Sequence, residues 1–140
     1  MCAVETLYDR VGGAAFFERL GEAFYRGVAS DETLSAMYPD APDFERARRR
    51  ITLFLIQYWG GPTTYTEERG HPRLRMRHFP FAIGPAERDR WLEHMAAAVE
   101  VATADLEDGG SVAAELMAYF VPTANQMRTD GMAIQPHGAG

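Results

Sequence analysis

Between Phe44 and Tyr58 the residues Phe44, Ala47, Ile51, Phe54 and Tyr58 recur at alternating three- and four-residue steps, the spacing that lines one face of an α-helix. Gly60, Gly61 and Pro62 follow and end it. The same grammar, an apolar face closed by glycine or proline, governs the rest of the chain. After Gly12-Gly13, Phe16, Leu20 and Phe24 stand four apart, with Phe17 and Val28 on adjoining rows. Ser30 offers an N-cap to a short helix with Asp31 and Glu32 in its first turn, stopped by Pro39 near Tyr38. TTYTEERG reads as a polar loop leading to Pro72, a suitable first residue for the short helix PRLRMRH, which Pro80 limits. Leu74 and His78 lie four apart and point the same way. Gly84, Pro85 and Glu87 open a long helix carrying Trp91, Leu92, Met95, Val99 and Ala102 to about residue 104. After DLEDGG, a final pattern holds Ala113, Leu116, Phe120, Ala124 and Met127, and Pro122 should kink or split it.

No stretch reads as a strand, so the fold class is all-α. The 140-residue length suits one core. We assign one domain to residues 1–129, including a short N-terminal extension, and expect a flexible tail over 130–140. Apolar residues at 46% and charged residues at 24% match an ordinary globular domain. Apolar runs fall well short of the ~20 residues that cross a bilayer, and the N-terminus lacks the pattern of a secretory signal. No membrane span and a cytoplasmic location are therefore expected. The single cysteine, Cys2, cannot supply a multi-thiolate metal site. A net charge of −6 disfavours nucleic acid, and the basic run RARRR at 46–50 is most simply a solvated helix face.

The residues bearing on chemistry are a histidine on a short helix between two long ones and a set of aromatics on apolar faces. Taken alone, such a histidine is more often a hydrogen-bonded core residue than a ligand, and buried aromatics are common, so both readings stay open.

YDRVGG at 8–13, AFY at 23–25, MYP at 37–39, FLIQYWGGP at 54–62, RGHPRLRMRHFPF at 69–81 and ERDRWL at 87–92 occur in order at matching spacing. In these motifs the chain resembles the group II, or O-type, truncated haemoglobins over roughly residues 7–129. The resemblance implies a truncated globin fold, a two-over-two helical sandwich around haem b, iron protoporphyrin IX. It implies that His78 is the metal ligand, its imidazole neutral and its second ring nitrogen bonded to a backbone carbonyl. His71 is then a helix cap or a group at the haem edge, His94 packs or hydrogen-bonds within its helix, and His137 lies in the tail.

By the same resemblance Tyr25, Tyr38 and Trp91 fall at distal, ligand-stabilising positions, each with a polar tip on an apolar body. Ala47 matches the residue that gates the distal pocket in longer globins, and Ile51 lies a turn deeper. Phe54, Leu55, Leu74, Phe81, Ile83 and Met95 are candidates for the porphyrin walls. Arg50 and Arg77 are candidates for the propionates, with a plain solvated arginine the alternative for each. One extra residue around DAPDF at 40–44 could alter the placement of Tyr38.

The leading functional expectation is reversible binding of a diatomic gas, principally oxygen, with nitric oxide and carbon monoxide as further ligands. The alternatives are a haem redox enzyme acting on peroxide or nitric oxide, fed by an unidentified reductase, and, remotely, a haem-free helical interaction protein. A monomer or homodimer is expected.

Overall fold

In the computed structural model, which describes residues 5–39, 41–78 and 80–130, all regular structure is helical. The helices are α1 (Leu7–Arg10), α2 (Ala14–Ala29), α3 (Glu32–Ser35), α4 (Glu45–Tyr58), α5 (Thr64–Arg69), α6 (Leu74–His78), α7 (Pro85–Thr103) and α8 (Gly109–Gln126). The four long ones make the body: α2 packs on both α4 and α7, and α8 packs on α7. Phe16, Phe17, Leu20, Phe24 and Val28 of α2 fill the centre, against Leu55 and Ile56 of α4, Met95 and Val99 of α7, and Val112, Leu116 and Phe120 of α8. Each such side chain contributes about 1.5–3 kcal/mol by leaving water. Gly21 sets how closely α2 and α4 cross, because a β-carbon there would stand 2.5 Å from Thr52 Oγ1.

The shorter pieces are pinned by specific bonds. Thr6 and Asp9 cap α1 reciprocally, Tyr8 N–H bonds the Trp59 carbonyl at 3.1 Å, and Arg10 reaches Glu115 (2.6 Å) and Asp108 (3.1 Å). No helix among the described residues is long and apolar enough to cross a membrane.

Four local expectations are corrected. The N-cap of α3 is Asp31, not Ser30. Its carboxylate accepts from Leu34 N–H at 3.2 Å, while the Ser30 hydroxyl bonds back to the Gly27 carbonyl and so belongs to the end of α2. The stretch read as a polar loop holds α5, because α4 supplies its partners: Gln57 bonds both the hydroxyl and the N–H of Thr66, and Arg49 pairs twice with Glu68. Pro72 is not the first residue of α6. Arg73 intervenes at φ 44°, outside the helical range, and the helix begins at Leu74. Finally, Pro122 does not split α8, which runs unbroken from Gly109 to Gln126. Pro122 and Ala118, whose carbonyl loses its helical donor, are both exposed, so water can serve that oxygen. The tail expected over 130–140 lies outside the described residues except for Asp130, as do Cys2 and His137.

Candidate functional site

α6 is a single turn and a half in which no residue is buried. Its position comes from bonds at both ends. Upstream, Arg77 Nε donates to the Pro72 carbonyl at 2.6 Å and its Nη2 to the carbonyls of Arg69 (3.0 Å) and His71 (3.3 Å). Arg73 N–H donates to His71 Nδ1 at 3.0 Å, so His71 acts as a cap at the entrance to α6. Downstream, the buried hydroxyl of Thr129 donates to the Phe81 carbonyl (2.6 Å) and accepts from Ile83 N–H (2.8 Å), while Thr129 N–H bonds the Ile83 carbonyl. Between these anchors His78, half-buried, has Nδ1 at 2.7 Å from the Leu74 carbonyl. A carbonyl only accepts, so Nδ1 carries a proton, and in the neutral imidazole Nε2 is the nitrogen with the lone pair.

A second cluster joins α2, the turn after α3, the start of α4 and the first half of α7. The Tyr25 and Tyr38 rings meet edge to face at 5.5 Å, and Phe44 packs on both, at 5.7 Å from Tyr25 and 5.6 Å from Tyr38. Phe24 sits between Tyr25 (4.9 Å) and Trp91 (5.1 Å), and Phe120 backs Trp91 at 5.8 Å. Burial pushes the Tyr25 hydroxyl well above its usual range, and its neighbour Tyr38 reinforces that through charge and hydrogen bonding. Burial also raises Tyr38, against hydrogen bonds from Tyr25 and Trp91 that favour the other direction. The charge of Arg50 opposes the rise at both tyrosines. Both phenols therefore stay protonated at neutral pH.

Tyr38 packs against Phe44 and Tyr25, and residue 40 of the turn lies outside the described residues. Ile51, Phe54, Leu74, Phe81, Ile83 and Trp91 are half-buried, large and apolar yet with surface left to cover. Arg50 is half-buried too. Ala47 (4% exposed) and Tyr25 (8%) lie deeper. Leu55 and Met95, also expected on the porphyrin wall, are buried in the helical core at 2% and 0% exposure. Arg77 is occupied by three backbone carbonyls, which explains its place beside His78 without a propionate. His94 does not bond within its own helix; its Nε2 bonds Asp31, 2.8 Å away on the cap of α3.

Sequence reading missed Phe44 and Phe24 as walls of the aromatic cluster, Thr129 as the downstream anchor of α6, and Asp31 as more than a member of a helix's first turn. Phe44 and Phe24 were visible only as members of helix faces. The partners of Thr129 and Asp31 lie far away in sequence.

These donors fit haem. One imidazole with its second nitrogen already bonded suits an axial iron ligand, half-buried apolar side chains suit a porphyrin, and protonated phenols and an indole suit a polar distal side. No group of three or more acidic, histidine or cysteine side chains among the described residues is placed to hold a bare metal ion.

Comparison with known proteins agrees. The model of the family described as bacterial-like globin matches residues 6–126. The thermostable hemoglobin of Thermobifida fusca is 52% identical, with a TM-score of 0.79 over 87% of this chain and 95% of that one. The group II truncated hemoglobin of Bacillus anthracis is 34% identical, with a TM-score of 0.80 over 91% of this chain and 93% of that one. The group 2 truncated hemoglobin of Bacillus subtilis (strain 168) is 42% identical over 66% of this chain and 68% of its own length. The structural neighbours share the two-on-two helical fold, and globins of this kind carry haem. The chain belongs to the bacterial-like globin family, as a truncated haemoglobin of group II.

Proposed function

We propose that this haem protein binds oxygen reversibly, with His78 as the proximal ligand and Tyr25, Tyr38 and Trp91 as the distal donors. The observation that carries the proposal is the packing of Tyr25, Tyr38 and Trp91 into one aromatic cluster through Phe24 and Phe44, in a chain whose His78 Nδ1 is bonded to the Leu74 carbonyl. Ferrous haem supplies an open coordination position at which a diatomic gas gains negative character. The chain's part is to hold the iron from one side and offer hydrogen bonds from the other. Protonated phenols and an indole N–H are suited to that, because each donates at neutral pH. Aromatic packing from Phe24, Phe44 and Phe120 holds the donors in place, so little rotamer entropy is lost when they engage a ligand. Arg50, near enough to influence both tyrosines, is the candidate partner for a propionate.

The direct test is oxygen dissociation from the Trp91→Phe holoprotein. Loss of one net hydrogen bond of about 1 kcal/mol corresponds to roughly five-fold faster release. An unchanged rate would remove Trp91 from the distal set.

A further inference from the structure

Asp31 stands where α2, α3 and α7 meet, and its side chain is only 6% exposed. Its carboxylate is fully engaged. Oδ1 accepts from Leu34 N–H at 3.2 Å, Arg90 Nε lies 3.2 Å from Oδ1 and 3.1 Å from Oδ2, and His94 Nε2 lies 2.8 Å from Oδ2. The His94 bond first, then Arg90 and the Leu34 N–H, hold this carboxyl well below the usual range despite its burial.

The partners of Asp31 are the neighbours of the distal donors. Arg90 and His94 are one helical turn apart on α7, and Trp91 lies between them in sequence. Leu34 belongs to the short helix that Tyr38 follows, linked through the bonds from Met37 N–H to Leu34 and from Tyr38 N–H to Ser35. His94 also touches α2. A β-carbon on Gly27 would stand 2.6 Å from His94 Nδ1 and 3.2 Å from Cγ, so only glycine lets the imidazole lie this close, two residues beyond Tyr25. One carboxylate thus grips α7 on both sides of Trp91 and caps the helix before Tyr38, while its histidine partner rests against the helix of Tyr25.

We propose that Asp31, acting through His94 and Arg90, is a positioning residue that sets the spacing between the Trp91 indole and the Tyr38 hydroxyl, and so tunes the hydrogen bonds offered to a haem ligand. The inference rests on reading Trp91 and Tyr38 as distal donors. Asp31→Asn keeps the size of the side chain and one oxygen for Leu34 but removes the charge that holds Arg90 and His94. Gly27→Ala disturbs the same junction from the opposite side, by displacing the imidazole while leaving Asp31 intact.

Two readouts on the holoprotein decide the matter: the stretching band of CO bound to the ferrous form, which senses the local field of distal donors, and the oxygen dissociation rate. Asp31→Asn is expected to broaden or split the CO band and speed oxygen release about five-fold. Gly27→Ala should act in the same direction, and it keeps the proposal testable if Asp31→Asn does not fold. In a Trp91→Phe background the added effect of Asp31→Asn should shrink, since the two act in series. If Trp91→Phe alters both readouts while Asp31→Asn and Gly27→Ala lower only thermal stability, the positioning role is overturned and the distal reading stands. If Trp91→Phe alters neither readout, the distal reading itself falls, and the inference with it.

Discussion

The Nδ1 atom of His78 lies 2.7 Å from the carbonyl oxygen of Leu74, one turn earlier on the same short helix. This bond selects the tautomer that leaves Nε2 available and fixes the ring's rotation. His78→Ala should therefore abolish the five-coordinate ferrous spectrum of the haem-loaded protein, and added imidazole should restore part of it. An unchanged spectrum in the variant would reject His78 as the ligand.

Thr129 closes the segment after α6 with three hydrogen bonds, two of them through its hydroxyl. Thr129→Val keeps the shape but strands the Phe81 carbonyl and the Ile83 N–H. Each stranded group costs about 1–3 kcal/mol if it stays buried. We expect a loss of stability of up to about 2–6 kcal/mol in urea melts and faster haem loss to a scavenging apoglobin, with the ligand spectrum little changed.

At the crossing of α2 and α4, Gly21 faces a Thr52 hydroxyl that has no hydrogen-bond partner. Gly21→Ala forces a β-carbon against that oxygen, an overpacking cost of about 1–3 kcal/mol set against the roughly 1 kcal/mol by which alanine favours a helix. Pairing it with Thr52→Ala should recover most of the loss. Strictly additive effects in the double-mutant cycle would mean that the two positions do not meet in solution.

Acid stability follows from Asp31. Because its folded-state pKa is lowered by His94 first and then by Arg90, the ionised form favours the native state. That contribution is complete above the unfolded-state value of about 3.9 and is lost as pH falls below it toward the folded value. The stability gap between the protein and Asp31→Asn should stay level as pH drops to about 5 and narrow below about 4. A gap that persists undiminished at pH 3 would assign the linkage to another group.

The helix face from Phe44 to Tyr58 and the start of α7 at Pro85 were legible because period and punctuation are local signals. α5 was not. Its polar residues become helical by docking on Gln57 and Arg49, 9 and 19 residues away. Pro122 misled because its cost depends on whether the freed carbonyl meets water, which is a matter of tertiary placement. At the site, chemistry alone left His78 between a core residue and a ligand, and only the surrounding motif tilted the balance. Asp31 was visible solely as a residue of a helix's first turn, because its meaning depends on partners 59 and 63 residues later.

The latch at Thr129 also carries a kinetic consequence. It fastens the loop after His78 across 48 residues of chain, so this closure waits for the end of α8 to be brought beside that loop. The α2 and α4 crossing is free to form early from neighbouring sequence, whereas the histidine segment has no downstream anchor until Thr129 has left the ribosome. The loop after His78 is thus steadied from downstream only when α8, packed on α7, carries Thr129 to the Phe81 carbonyl.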